Sequence, residues 1–336
     1  MLCRITPFFL LLASALFAVT DTPGPSRPGE RHFTFDYTFT LRNTNPGKPL
    51  RIWIPLAESN PSQEVRILFK TGDLPLKQTR EPEYGNAMLY ASTEKAEKAE
   101  YHFAIKYDVV RREHMVLNSA FNTKPEKASL AQLRRFLEAD KLVPITGLPA
   151  EIAEKQVQSG DPVITKARKL YDYTFATLRY DKSGAGWGRG DTLWVCDSKH
   201  GNCTDFHSLF ISMARSQKIP ARYEMGFSIP VGKSGGEVTG YHCWADFYTL
   251  DRGWVPVDIS EAWKNQAKKE YFFGSHDQNR VQFSIGRDLT LSPPQTGEAR
   301  NYLVFPYVEL DGKEYSNVSM ANSFAEVGDK QLAQKQ

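Results

Sequence analysis

Cys203, His242 and Asp258 are the residues whose types and order are suited to covalent chemistry. A thiol, an imidazole and a carboxylate supply a nucleophile, its base and the group that orients the base. They stand in three short contexts: Gly201-Asn202-Cys203-Thr204-Asp205-Phe206-His207, Gly240-Tyr241-His242-Cys243-Trp244-Ala245-Asp246 and Gly253-Trp254-Val255-Pro256-Val257-Asp258. The combination points to a cysteine enzyme working on acyl or amide groups.

Those residues need a helix and a hairpin to bring them together. Phe206, Leu209, Phe210, Met213 and Ala214 fall on one helical stripe, which predicts an amphipathic helix over Thr204–Gln217, stopped by Pro220. Cys203 then sits at the helix N-terminus, where the dipole and unpaired N–H groups favour thiolate over thiol. Strands are predicted at Arg222–Ile229, Tyr241–Phe247 and Trp254–Ile259, the last two joined around Leu250–Gly253. His242 and Asp258 are equidistant from residue 250, so a hairpin turning there sets them opposite each other on one face. A register offset by two residues would separate them by roughly 7 Å along the strands. Asp205, in the first turn, complements the dipole or caps nearby N–H groups.

The rest of the chain frames this region. At 336 residues it is long enough for two domains with separate cores, and its net charge of +3 with no long basic run argues against nucleic acid as a partner. Residues 1–20 read as a signal peptide: Arg4 precedes an apolar run from Ile5 to Val19, which is short of the ~20 residues a spanning helix needs. The expected location is therefore secreted or periplasmic, with no stable membrane insertion after signal removal. Loss of Cys3 with the leader would leave Cys196, Cys203 and Cys243. That odd number allows one free thiol and one disulfide, Cys196–Cys243 if Cys203 is the free one, or reduced thiols throughout.

From His32 to Arg112 the pattern is β. Phe33, Phe35, Tyr37 and Phe39 alternate with polar residues, and similar runs follow at Leu50–Leu56, Val65–Lys70, Ala87–Ala91 and Tyr101–Val110. The expected organisation is an N-terminal antiparallel, sandwich-like β domain over 32–112, a bridging segment over 113–160 with a helix near Leu130–Leu137, and a catalytic domain over 161–325. A polar, disordered tail is expected over 328–336. Asp161-Pro162 reads as the N-cap and first position of a helix, and residues 181–202 as a long loop.

Several motifs in order resemble the transglutaminase-like superfamily: Gly-x-Cys-x-Asp at a helix start, Ile219-Pro220-Ala221-Arg222 after it, His-x-Trp-x-acid on a strand and Gly-Trp-Val-Pro-Val-Asp on the next. The resemblance covers about residues 160–262. It implies an α+β, papain-like core, in which the helix bearing the cysteine packs on an antiparallel sheet bearing histidine and aspartate. It further implies a Cys203-His242-Asp258 triad and a thioester acyl-enzyme acting on peptide or protein amides. Hydrolysis is the default outcome, because water is the default acceptor; transfer to an amine is the alternative with the same triad. In similar enzymes a tryptophan N–H joins the cysteine N–H as oxyanion donor, which makes Trp194 and Trp187 candidates, with Trp244 as a groove wall. Nothing resembles the calcium loops of the large animal transglutaminases, so no metal or cofactor is expected. Three positions depart from the family pattern: His207 and Cys243 stand where small residues are usual, and Asp246 where glutamate is often found.

A rival reading comes from another class. Cys196, His200, Cys203 and His207 have zinc-type spacing, C-x3-H-x2-C-x3-H, which suits a metal-binding or non-catalytic module. It leaves the His242–Asp258 pairing unexplained.

Overall fold

The computed structural model describes residues 28–44, 47–117 and 125–328. The expected leader and all but the first residue of the expected tail lie outside the described residues. The chain begins with strands β1 (Glu30–Leu41), β2 (Leu50–Pro55), β3 (Gln63–Gly72), β4 (Lys77–Arg80), β5 (Ala87–Thr93), β6 (Tyr101–Arg112) and β7 (His114–Met115). Helices α1 (Leu130–Arg135), α2 (Leu148–Gln156) and α3 (Val163–Thr177) follow, then β8 (Arg179–Tyr180), α4 (Thr192–Ser198), β9 (His200–Gly201) and α5 (Cys203–Ser216). The second half holds β10 (Ala221–Ser228), β11 (Gly235–Glu237), β12 (His242–Thr249), β13 (Gly253–Val257), α6 (Ile259–Lys264), β14 (Ser275–His276) and β15 (Arg280–Ile285). Strands β16 (Tyr307–Leu310), β17 (Lys313–Glu314), β18 (Val318–Met320) and β19 (Ser323–Glu326) end it. No described helix is long and apolar enough to cross a membrane.

The four-stranded sheet that carries His242 runs β13-β12-β10-β15, all antiparallel, with α5 packed across it and α2, α3 and α4 around α5. The helix stripe read from the sequence is buried, but so is the rest of α5. Phe206, Leu209, Phe210, Met213 and Ala214 are sealed from solvent, and so are Thr204, Asp205, His207, Ser208 and Ser212, so the helix is enclosed on every face rather than half-exposed. Two further sheets run β11-β19-β1-β6-β3 and β17-β16-β2-β5-β4. Alternation in β1 buries Phe33, Phe35, Tyr37, Phe39 and Leu41 on one face.

Two organisational expectations change. First, the β region and the catalytic region share one apolar core rather than having one each. Phe35 lies 5.3 Å from Phe227 and Tyr37 5.3 Å from Phe283, ring centre to ring centre. The inward face of β1 carries more aromatic surface than its own sheet covers, and the ends of β10 and β15 supply the cover. Second, the last strands do not stay with the catalytic region: β16 pairs with β2, and β18 and β19 pair with β1. β1 is thereby an inner strand, hydrogen-bonded along both edges.

Smaller differences are local. The expected bridge contains α2, whose Ala153 is fully buried and which packs on α5, so it forms part of the catalytic core. Pro162, not Asp161, occupies the N-cap of α3; the Asp161 carboxylate instead accepts from Gln158 N–H and Lys169. The expected loop over 181–202 contains α4, whose N-terminal N–H groups are capped by Asp191.

Candidate active site

Cys203 is the first residue of α5, and its surroundings follow from a reciprocal cap. The Asn202 side chain accepts from Thr204 N–H at 2.9 Å, while the Asp205 carboxylate accepts from Asn202 N–H at 2.9 Å. Asp205 reaches further, taking Gly188 N–H at 2.7 Å and Gly190 N–H at 3.0 Å, which pins the preceding loop over the helix start. This explains the glycine of Gly-x-Cys-x-Asp: a Cβ on Gly201 would lie 2.3 Å from Asp205 Oδ2. The Tyr241 hydroxyl ties the same helix start to the strand bearing the histidine, at 2.8 Å from Thr204 Oγ1 and 3.0 Å from Asn202 Nδ2.

His242 opens β12, and its Nε2 lies 2.7 Å from Asp258 Oδ2. The hairpin is not the one expected. Thr249 pairs with Gly253 and Ala245 with Val257, so its centre is residue 251 and the register is displaced by two residues. The two side chains meet nonetheless because Asp258 has left the ladder to become the N-cap of α6. Its Oδ1 accepts from Glu261 N–H and Ser260 Oγ, both at 3.0 Å, and that turn swings Oδ2 back toward the imidazole.

Arg280, on β15, donates to the same Asp258 oxygen at 3.0 Å and is itself held by Asp277. Its guanidinium carbon stands 4.8 Å from the Trp244 ring, which packs 5.7 Å from the His242 ring. Sequence reasoning missed Arg280. It lies outside the motif region, and only the pairing of β10 with β15 brings it to the site.

Protonation states follow from these neighbours. Burial opposes ionisation of Asp258, but His242 and then Arg280 hold its carboxyl well below the usual carboxylate range. Burial likewise opposes charge on His242, yet Asp258 and the Cys203 sulfur push it up to about 10. The Cys203 thiol is disfavoured as an anion by burial; hydrogen bonds from Cys243 and His242 and the charge on His242 nevertheless bring it well below its ordinary value. With Nε2 taken by Asp258, Nδ1 is the imidazole nitrogen left for the thiol. The arrangement can therefore hold a thiolate–imidazolium pair before any substrate arrives.

The second histidine of the helix has another role. Ile259 N–H donates to His207 Nε2 at 3.1 Å, so Nε2 is an acceptor and Nδ1 carries the proton, 3.7 Å from Cys243 Sγ. Burial keeps the His207 pKa low. His207 fastens α5 to the start of α6.

The remaining candidates fare differently. Trp244 is fully buried and its N–H is taken by Glu224 Oε2 at 2.5 Å, so it is neither a groove wall nor an oxyanion donor. A bulky indole on the inner side of the sheet must satisfy its N–H there. Trp194, on α4, lies against His200 and against Gly186, where a Cβ would come within 2.5 Å of the indole nitrogen. Trp187 stands in the loop with Lys182 5.7 Å from its ring. Cys196, His200, Cys203 and His207 do not converge: among the described residues no three His, Cys, Asp or Glu side chains group as a metal site. His200 turns toward Asp181 O while His207 engages Ile259 and Cys243. Cys196, Cys203 and Cys243 are all free, and Cys243 lies beside Cys203 rather than Cys196.

A cleft of about 290 Å³ adjoins the helix start, lined by Gly188, Arg189 and residues 300–307. Tyr302 on its wall lies 5.5 Å from Tyr241, and Arg287 clamps that wall by donating to Gly190 O at 2.9 Å and Ser208 Oγ at 2.7 Å.

Residues 150–259 match the sequence profile of the transglutaminase-like superfamily, and in the structure they are α+β. Across nearly the whole chain, the sequence is 26% identical over 342 residues to an uncharacterised protein of Haemophilus influenzae, covering 90% of this chain and 92% of that one. A crystal structure from Cytophaga hutchinsonii, described as a "putative cysteine protease", superposes with a TM-score of 0.57 at 14% identity, over 91% of this chain and 93% of that chain. The likeness extends through the β region as well as the catalytic region. The periplasmic domain of TgpA from Pseudomonas aeruginosa superposes with a TM-score of 0.36 at 13% identity, over 71% and 92% of the two chains.

Proposed function

We propose that this chain is an exported cysteine hydrolase of amide bonds in peptides or proteins, with Cys203 as nucleophile, His242 as acid and base, and Asp258 as the orienting carboxylate. The observation that carries the reading is the placement of His242 between a buried carboxylate, 2.7 Å from its Nε2, and the thiol of a helix N-terminal cysteine. Export rests on the apolar leader after Arg4.

The Cys203 thiolate adds to the amide carbon of the substrate. The Cys203 N–H, at the first position of α5, faces the developing oxyanion, with Trp194 the candidate second donor. Collapse breaks the C–N bond as His242 passes its proton to the departing amine, leaving a thioester. His242 then takes a proton from water, which attacks the thioester and returns the thiolate. Asp258 keeps its charge throughout and holds the imidazole in one tautomer. Arg280 keeps Asp258 from competing for that proton.

The test is alkylation of the purified protein by iodoacetamide across pH 4–9, read by mass spectrometry, followed by assay on peptide amides with and without added amine. Rapid labelling of Cys203 well below pH 8, lost in His242→Ala, with free acid as product, is the expected result. An amine adduct in place of the acid would assign transfer instead, and activity surviving in Cys203→Ala would overturn the covalent mechanism.

A further inference from the structure

The mechanism leaves one nucleophilic group beside the site unused. Cys243 follows His242 on β12 but points to the opposite face of the sheet, toward α5. It is fully buried, with its sulfur 3.8 Å from Thr204 Oγ1 and 3.7 Å from His207 Nδ1. Thr204 is the residue after the nucleophile and His207 lies one turn further along the same helix, so this sulfur is seated under Cys203, with which it shares a hydrogen bond. A methyl group would fill that seat in an apolar interior. Here it holds a second thiol, with the Thr204 hydroxyl and the His207 Nδ1 both within 4 Å of its sulfur.

We propose that Cys203 and Cys243 form a reversible disulfide when the nucleophile meets a hydroperoxide, Cys243 acting as the resolving thiol that spares Cys203 from irreversible oxidation. The inference rests on Cys203 being an activated thiol, as in the function proposed above. In the first step the Cys203 thiolate attacks the distal peroxide oxygen. The O–O bond breaks, the sulfur is oxidised to sulfenic acid, and the alkoxide or hydroxide released takes a proton from His242. In the second step Cys243 attacks the Cys203 sulfur. The S–S bond forms, the S–O bond breaks, and the departing hydroxide leaves as water with the proton of Cys243. His207 favours this step, because its Nδ1–H faces the sulfur on which negative charge develops. Cys196 serves as an internal control: it is a buried free thiol whose pKa burial pushes up, as burial does for Cys243, but it lies on another helix and away from Cys203.

The experiment exposes the reduced protein to a small excess of hydrogen peroxide, blocks remaining thiols with iodoacetamide and maps the digest by mass spectrometry, with and without dithiothreitol. The expected product is a Cys203–Cys243 linked peptide, with Cys203 labelling lost and then restored by reductant. In Cys243→Ala and in the closer isostere Cys243→Ser, Cys203 should advance to sulfinic acid and reductant should not restore its labelling. Sulfinic acid at Cys203 in the unsubstituted protein, formed as fast as in those variants, would overturn the inference, as would a disulfide to Cys196. A reduced protein whose Cys203 resists iodoacetamide at neutral pH would overturn the activated-thiol reading itself, a distinct result seen before any peroxide is added.

Discussion

The two faces of the catalytic sheet differ in kind. Toward α5 the strands present Tyr223, Met225, Cys243, Ala245 and Phe247; on the other face, in the same residues' gaps, they present Arg222, Glu224, Trp244 and Asp246, all buried, while His242, at the start of its strand, reaches the Cys203 sulfur at the helix end. Cross-strand partners keep the faces separate, Met225 beside Cys243 and Glu224 beside Trp244. The apolar face fixes where the helix lies, and hence where the thiol is, by burial that has no preferred direction. The charged face fixes proton positions, which burial alone cannot do; Arg222 joins Glu224, Asp246 and Glu126, and Arg280 joins Asp258 and Asp277. Most of the buried charge thus lies on the side of the sheet away from α5, and His242 and Asp258 carry its influence to the thiol at the helix end.

Substitutions should separate these two contributions. The largest effect is expected for Asp258→Asn on the charged side, where turnover should fall on the order of 10³–10⁴-fold because the amide stabilises the wrong imidazole tautomer. Its circular dichroism and the position of Cys203 should hardly change. Phe247→Ala, on the helix side, removes a fully buried ring that stacks 5.8 Å from Phe273. It should cost about 3–5 kcal/mol of stability in denaturant titration while leaving the pH profile of Cys203 alkylation in place. A shifted profile in this variant would mean that the two faces are not separable.

A smaller effect is expected for Arg280→Gln. Asp258 has a depressed pKa, so it contributes stability that is present above its ordinary value of 3.8 and is lost as pH falls below that. Removing the guanidinium raises the folded-state pKa, and the acid unfolding midpoint should move to higher pH, with about a tenfold loss in turnover and partial recovery in Arg280→Lys. The smallest effect is expected for Glu224→Gln. Burial, and then the neighbouring Asp246, push Glu224 up to about 8 from 4.5. A raised pKa gives stability that is full below 4.5 and declines as pH rises toward 8. The amide should flatten that decline, measured by Trp244 fluorescence during unfolding at several pH values.

What could be read from the sequence was local. The helix of Cys203 was legible because a five-residue apolar stripe and its cap lie within a few turns of each other. The strands of His242 and Asp258 were legible as elements, but their register was not. Asp258 leaves the ladder at a helix cap, and a ladder count assumes it stays in the ladder. Trp244 was misplaced because the faces of a strand carry no label when both are buried and one of them is charged. A β signal over residues 302–309 was legible and overlaps β16, but the role of Arg280 and the pairing of the closing strands were not, for a common reason: their partners Asp258, β1 and β2 are specified by packing between distant segments, and short strands such as Val318–Met320 carry almost no pattern of their own.

The pairing of β18 and β19 with β1 also bears on how the molecule comes to exist. Strand β1 is hydrogen-bonded to β18 and β19, which follow it by nearly three hundred residues. A chain still being synthesised therefore presents β1 with one edge bare, and no order of events along the ribosome can close that sheet early. Loop closure over such a separation makes assembly slow. The hydrogen bonding of β1 is thus timed by topology, and both of its edges are covered only once β18 and β19 have joined it.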